Sequence, residues 1–167
     1  MKQRLKSRRS DLHPNIFAAG DVAYGLDFST NAWAVQAIQP TAVEHARVAA
    51  NNMHKTNSAK YHGALVMNVL DTMGLISASY GLWQGISGGD SCELVDENNF
   101  RYINLQFGGD KLVGANTLGL TQHIGILRGL IRGKFSLGIW KNRLQKNPLQ
   151  LMEAYLAITQ SGNFGSN

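Results

Sequence analysis

Arg101-Tyr-Ile-Asn-Leu-Gln-Phe-Gly-Gly-Asp-Lys-Leu-Val-Gly-Ala-Asn-Thr-Leu118 is the stretch that decides the fold. Ile103, Leu105 and Phe107 alternate with Tyr102, Asn104 and Gln106, the period of a strand with one apolar and one polar face. Gly108-Gly109-Asp110 turns the chain back into 112–118. Upstream, 92–95 reads as a short strand ending in the turn Asp96-Glu97-Asn98-Asn99. Two hairpins in succession imply an antiparallel meander, packed on one side and wetter on the other. Leu65, Met67 and Val69 alternate with Ala64, Val66 and Leu70, which predicts a strand buried on both faces. Residues 75–83 follow Gly74, with Tyr80 and Trp83 as large packing groups.

The final third turns helical. Gly125, Gly129 and Gly133 recur every fourth residue among Ile124, Leu127, Leu130 and Ile131. Glycine costs about 1 kcal/mol per position in a helix, so this spacing predicts close approach of another backbone. Arg128 and Arg132 argue against a membrane pair. A last helix is expected to start at Pro148, burying Leu149, Met152 and Leu156. The expected class is α+β: an antiparallel sheet with helices on one side.

The chain has 167 residues, 44% hydrophobic and 16% charged, the length of one ordinary domain. Its single cysteine, Cys92, excludes a disulfide framework and any CxxC motif. Histidines 13, 45, 54, 62 and 123 are scattered, so no metal site is expected. No apolar run reaches the length of a membrane span, and no signal peptide is evident; the expected location is cytoplasmic. The net charge of +5 lies in Lys2, Arg4, Lys6, Arg8 and Arg9, leaving eleven basic against eleven acidic residues. A charge run alone specifies little, so nucleic-acid binding is not expected. A second basic stretch, Arg128 to Lys146, contains no acid and could steer an anionic partner.

Residues 1–14 are polar and basic and are expected to lack order. Residues 15–58 are expected to form a strand, a loop and a helix, residues 60–158 the sheet and its helices, and residues 159–167 a flexible tail. Asn15-Ile-Phe-Ala-Ala-Gly-Asp-Val-Ala23 predicts a buried strand ending at Gly20, where a missing side chain lets another group approach, followed by Asp21. Open α/β sheets bind ligands at such strand ends, and a carboxylate there accepts from a ribose or ribityl hydroxyl. From these nine residues alone, a ligand-facing carboxylate and a plain turn aspartate stand level. Pro40-Thr41 suits a helix start, with Ala42, Ala46, Ala49, Ala50 and Met53 as the expected packed face.

Residues 16–23 resemble the second flavin-binding motif of the FAD-dependent pyridine nucleotide-disulfide oxidoreductases, and residues 42–53 the helix that follows it. Residues 65–83, Arg101-Tyr102-Ile-Asn-Leu, Leu112-Val113-Gly114-Ala115 and Leu127-Arg128-Gly129-Leu130-Ile131 are similar to the C-terminal interface domain of rubredoxin reductases and NADH-dependent nitrite reductases. The resemblance covers roughly residues 15–158. It implies that Gly20 and Asp21 lie against the ribityl–pyrophosphate part of FAD. Gln39, Pro40, Thr41 and Ala42 would then lie near the flavin ring, with NAD(P)H as co-substrate. It also implies a homodimer, and an acidic electron carrier as a candidate partner for the basic stretch.

The departures are as informative. No GxGxxG turn follows a strand, and neither the redox cysteine pair nor the C-terminal His–Glu pair of the disulfide reductases is present. Ala46 stands where the family often has glycine. The chain therefore resembles the C-terminal third of such a flavoprotein, with no catalytic residue of its own and the rest lost by truncation or supplied in trans. The rival reading is a stand-alone dimerisation domain of the same fold that binds no flavin. Trp33 is expected to pack, His45 to lie exposed on its helix, and Cys92 to be a small buried thiol.

Overall fold

The structure, a computed structural model, describes residues 6–7, 16–55 and 58–161. The chain divides into two compact units, Met1–Val66 and Met67–Asn167.

In the first unit, β1 (Lys6–Ser7), β2 (Ala23–Leu26) and β3 (Trp33–Ala34) form a small antiparallel sheet in that order. Lys6 pairs with Tyr24 and Ser7 with Ala23, so two residues of the basic segment are ordered in a strand. The rest of 1–14 lies outside the described residues. The strand expected to lead into Gly20 is corrected: residues 16–19 adopt no regular element, and Ile16 is 70% exposed. A strand needs a neighbour for its N–H and C=O groups, and among the described residues none runs beside 16–19. Pairing begins at Ala23 and Tyr24 with β1 and passes to β3 at Gly25 and Leu26.

Helix α1 (Gln39–His54) places Pro40 in its first turn, as its missing N–H allows. Its buried stripe is Thr41, His45 and Ala49, whereas Ala46, Ala50 and Met53 are exposed. The expected alanine face is therefore rotated. Alanines carry little apolar area, so the room left by neighbouring elements selects the stripe. Residues 61–65, assigned by sequence to the sheet region, belong with the first unit: Ala64 bridges Asp27 in parallel, and Tyr61 packs on His45.

The second unit holds β4 (Met67–Thr72), β5 (Leu75–Gly81), β6 (Asp90–Asp96), β7 (Arg101–Gly108) and β8 (Lys111–Leu118). They form one antiparallel sheet ordered β4-β5-β8-β7-β6. Met73 and Gly74, at φ 54° and 86°, form the two-residue loop between β4 and β5. Between β7 and β8 the register shifts at Gln106–Phe107, a bulge that strengthens the local twist. Asp96 accepts from the Asn99 N–H to shape the β6–β7 turn.

Helices α2 (Ile124–Gly133) and α3 (Ile139–Lys146) lie over β5 and β8 and over β6, and α4 (Leu151–Ser161) packs on both helices. The core joins Ile103, Leu105, Phe107, Leu112, Ala115, Ala78 and Tyr80 of the sheet to Leu127, Leu130, Ile131, Leu144 and Leu151. Burial of each large side chain contributes about 1.5–3 kcal/mol. Asn68, Ser79, Asn116, Asn104 and Glu93 pair in turn across the five strands and form a polar row on the opposite face. The α+β class and the packed and wet faces of the meander are as the alternation predicts.

Three local expectations are corrected. Strand β4 is exposed along most of its length, because it ends the sheet and the helices stop short of it. The glycine row of α2 admits no neighbouring backbone. A Cβ at Gly125 would meet nothing within 4 Å, at Gly129 the Tyr155 ring and at Gly133 the Phe135 ring. In α4 the buried positions include Leu151 and Ala154, while Leu149 and Leu156 are exposed. The Leu149 N–H donates to Asn147 Oδ1 in a turn that delays the helix to residue 151 and rotates its stripe. The helix also continues through Ser161, past the expected tail boundary at 159; residues 162–167 lie outside the described residues.

Candidate functional site

Gly20–Val22 forms one 3-10 turn just before β2. Gly20 has φ +76°, a conformation that a side chain resists. A Cβ at that position would stand 3.6 Å from the Ala42 Cβ, so the turn lies against the first turn of α1. Asp21 follows and is exposed.

The start of α1 has no side-chain cap from Ile38, and Pro40 contributes no N–H. The Ala42 N–H already bonds the Ile38 carbonyl at 3.1 Å. The N–H groups of Gln39 and Thr41 have no acceptor within the helix, and the helix dipole adds partial positive charge there. No acidic side chain lies in this first turn to offset it. Gln39 and Pro40 are exposed, Ala42 is half-buried and Thr41 is buried. The structure thus gathers the sequence-predicted residues at one end of α1: an exposed carboxylate beside a helix end with no side-chain cap.

One turn further on, His45 departs from its expected exposure. It is 1% exposed, and neither ring nitrogen has a hydrogen bond of normal geometry. Its ring meets Tyr61 edge-on at 4.7 Å between centroids. Gly25 makes the room: a Cβ there would come within 2.8 Å of His45 Nε2. Burial holds the imidazole below its ordinary pKa, opposed in part by the Glu44 charge and the Gly20 backbone. The signal available in sequence was the spacing of Thr41, His45 and Ala49.

Asp27 was also missed. Its buried carboxylate accepts from the Ser29 N–H at 2.7 Å, while its backbone bonds Ala32 and Asn31. Gln36 Nε2 donates to the Ala64 carbonyl at 3.4 Å. Together these bonds hold the loop that leads into α1. Trp33 stacks on Tyr24 across the β2–β3 pair, with centroids 6.2 Å apart.

In the second unit the basic stretch is spread over α2 and α3. Lys141 pairs with Asp90, and Arg143 lies 4.6 Å from the Trp140 ring centroid. Arg128 and Lys146 are exposed. Cys92 is half-buried and donates to the Leu144 carbonyl at 3.4 Å, and burial pushes its thiol up to about 11. Among the described residues no helix is long and apolar enough to cross a membrane.

No family model and no curated protein matches the sequence. Solved structures do match the fold. The covalent putidaredoxin reductase–putidaredoxin complex superposes with a TM-score of 0.68 at 20% identity, covering 87% of this chain and 34% of that one. A FAD-dependent pyridine nucleotide-disulphide oxidoreductase from Desulfovibrio vulgaris gives 0.65 at 16% identity, covering 96% and 42%. A NAD-dependent persulfide reductase from A. fulgidus gives 0.65 at 16%, covering 84% and 29%. The fold is that of the C-terminal region of these oxidoreductases. The chain spans about a third of their length.

Proposed function

We propose that this chain is the C-terminal part of a flavin-dependent NAD(P)H oxidoreductase of the cytoplasm, supplying part of the FAD site and a dimer or acceptor interface. The observation that carries the reading is the contact between the Gly20–Asp21 turn and the uncapped start of α1. These groups suit two portions of FAD. Asp21 would accept from a ribityl hydroxyl, and the N–H groups of Gln39 and Thr41 would face the pyrimidine edge of the ring, where reduction builds up negative charge. Among the described residues no glycine-rich turn cradles a pyrophosphate, so in this reading that portion would be held by domains outside this chain. When bound, FAD would supply the hydride and electron transfer; this chain orients it and stabilises its reduced charge.

The acceptor reading rests on Arg128, Arg132 and Lys146, which share one helical layer and suit an acidic electron-carrier protein. The reductase seen covalently joined to putidaredoxin has the same fold. The homodimer belongs to the second unit.

Calorimetric titration of the purified chain with FAD tests the flavin site. Binding weakened about tenfold by Asp21→Ala, the loss of one hydrogen bond to a charged acceptor, supports the reading. Absence of binding both alone and with the upstream domains added in trans overturns it and favours a flavin-free dimerisation domain.

A further inference from the structure

The first strand of the five-stranded sheet is an edge, since among the described residues β4 pairs only with β5. Thr72 and Leu75 close the two-residue Met73–Gly74 loop. In such a hairpin the closing pair exchanges both backbone hydrogen bonds, as does every second pair beyond it. The bonded pairs are thus Thr72–Leu75, Leu70–Ser77 and Asn68–Ser79. The N–H and C=O groups of Met67, Val69 and Asp71 point the other way, along the free edge. Proteins blunt such edges with lysine, proline, bulges or very short strands. Strand β4 has none of these: its six residues contain no lysine or proline and keep an unbroken register with β5. Val69 and Leu70, on opposite faces, are 48% and 56% exposed.

We infer that β4 pairs with β4 of a second copy of this chain, antiparallel and with Val69 opposite Val69, joining the two sheets into one. This rests on the homodimer part of the proposed function and names its surface. The register follows from the edge itself. Centring on Val69 sets Met67 against Asp71 of the partner subunit, so all three outward residues of each copy find partners, giving six backbone hydrogen bonds. A centre at any other residue leaves some of these groups unpaired. Asp71 is the only charged residue of β4, and in this register the two copies' aspartates do not face each other. Within the second unit the helical layer lies over β5, β8 and β6 and not over β4, whose residues Asn68–Thr72 are exposed.

Sedimentation equilibrium of the 167-residue chain tests the pairing. Val69→Pro removes an outward N–H without touching the β4–β5 ladder, and Val69→Lys sets two like charges opposite each other. Each is expected to raise the dimer dissociation constant by about tenfold, with the circular dichroism spectrum unchanged. Met67→Lys, which places an ammonium opposite Asp71 of the partner subunit, is expected to leave the dimer intact or tighten it. A chain that stays monomeric at about 1 mM, the weak limit of specific association, overturns both this pairing and the homodimer. A dimer unmoved by either Val69 variant overturns the edge and leaves the homodimer standing. Should both variants fail to fold, oxidation of Val69→Cys decides: a disulfide-linked dimer supports the register, and a dimer that does not cross-link overturns it.

Discussion

His45 occupies space that Gly25 leaves empty, and the pair can be tested as one unit. Gly25→Ala puts a methyl within 2.8 Å of Nε2 and is expected to cost about 1–3 kcal/mol, as overpacking does. The double variant Gly25→Ala, His45→Ala should recover part of that loss, and urea unfolding of the four proteins of the cycle measures the coupling. The folded pKa of His45 is lowered, so between that value and the ordinary 6.5 the unfolded chain binds more protons. Its contribution to stability is full above about pH 6.5 and declines as pH falls toward the folded value. Protection factors in α1, taken relative to the intrinsic exchange rate at each pH, are expected to fall below pH 6.5, and His45→Gln to flatten that dependence. Cys92, with its thiol pushed up to about 11 and bonded to Leu144, is expected to resist iodoacetamide at pH 7.5 until urea unfolds the sheet. Its partial burial was legible from its place in a strand. The burial of His45 was not, because the ring's room depends on a glycine twenty residues away in sequence.

At the scale of elements, Asp110 ties the β7–β8 turn to the start of α3. Its carboxylate accepts from the Ser136 hydroxyl and, at 3.0 Å, from the Gly138 N–H, while its carbonyl accepts from the Leu137 N–H. These hydrogen bonds, Ser136 first, hold its pKa below the usual carboxylate range. The stabilisation is therefore present above about pH 3.8 and is lost as pH falls through the folded value. Asp110→Ala is expected to cost about 1 kcal/mol and to speed exchange of the Gly138 amide. Strand identity in this unit was readable because alternation along β7 and β8 matches the pleat. Helix phase was harder. In α1 and α4 the apolar residues outnumber the buried positions, so neighbouring elements choose which face turns inward. The strand expected before Gly20 failed for a related reason: an apolar run becomes a strand only where another backbone pairs with it.

For the whole molecule, the largest single contributions lie in the sheet-and-helix core of the second unit. Leu105 is fully buried at its centre, and Leu105→Ala is expected to cost about 2–5 kcal/mol in urea unfolding. In the full-length protein, Arg128→Gln with Arg132→Gln is expected to slow reduction of an acidic acceptor, most at low salt, because long-range steering by surface charge is screened beyond about 10 Å at 0.1 M; Arg128 is exposed and Arg132 half-buried. Stopped-flow kinetics across ionic strength measures this, and an unchanged rate would remove the basic stretch from the acceptor reading. The antiparallel sheet and its two hairpin turns were legible in the sequence, since local periodicity and turn chemistry act over a few residues, whereas the pairing of Gly20 with the start of α1 was implied only by the family resemblance. That His45 is buried, that β4 is an edge among the described strands and that α2's glycines face side chains and solvent emerged from the fold alone. Each of these depends on which surfaces meet, and that is set by packing between segments far apart in the chain.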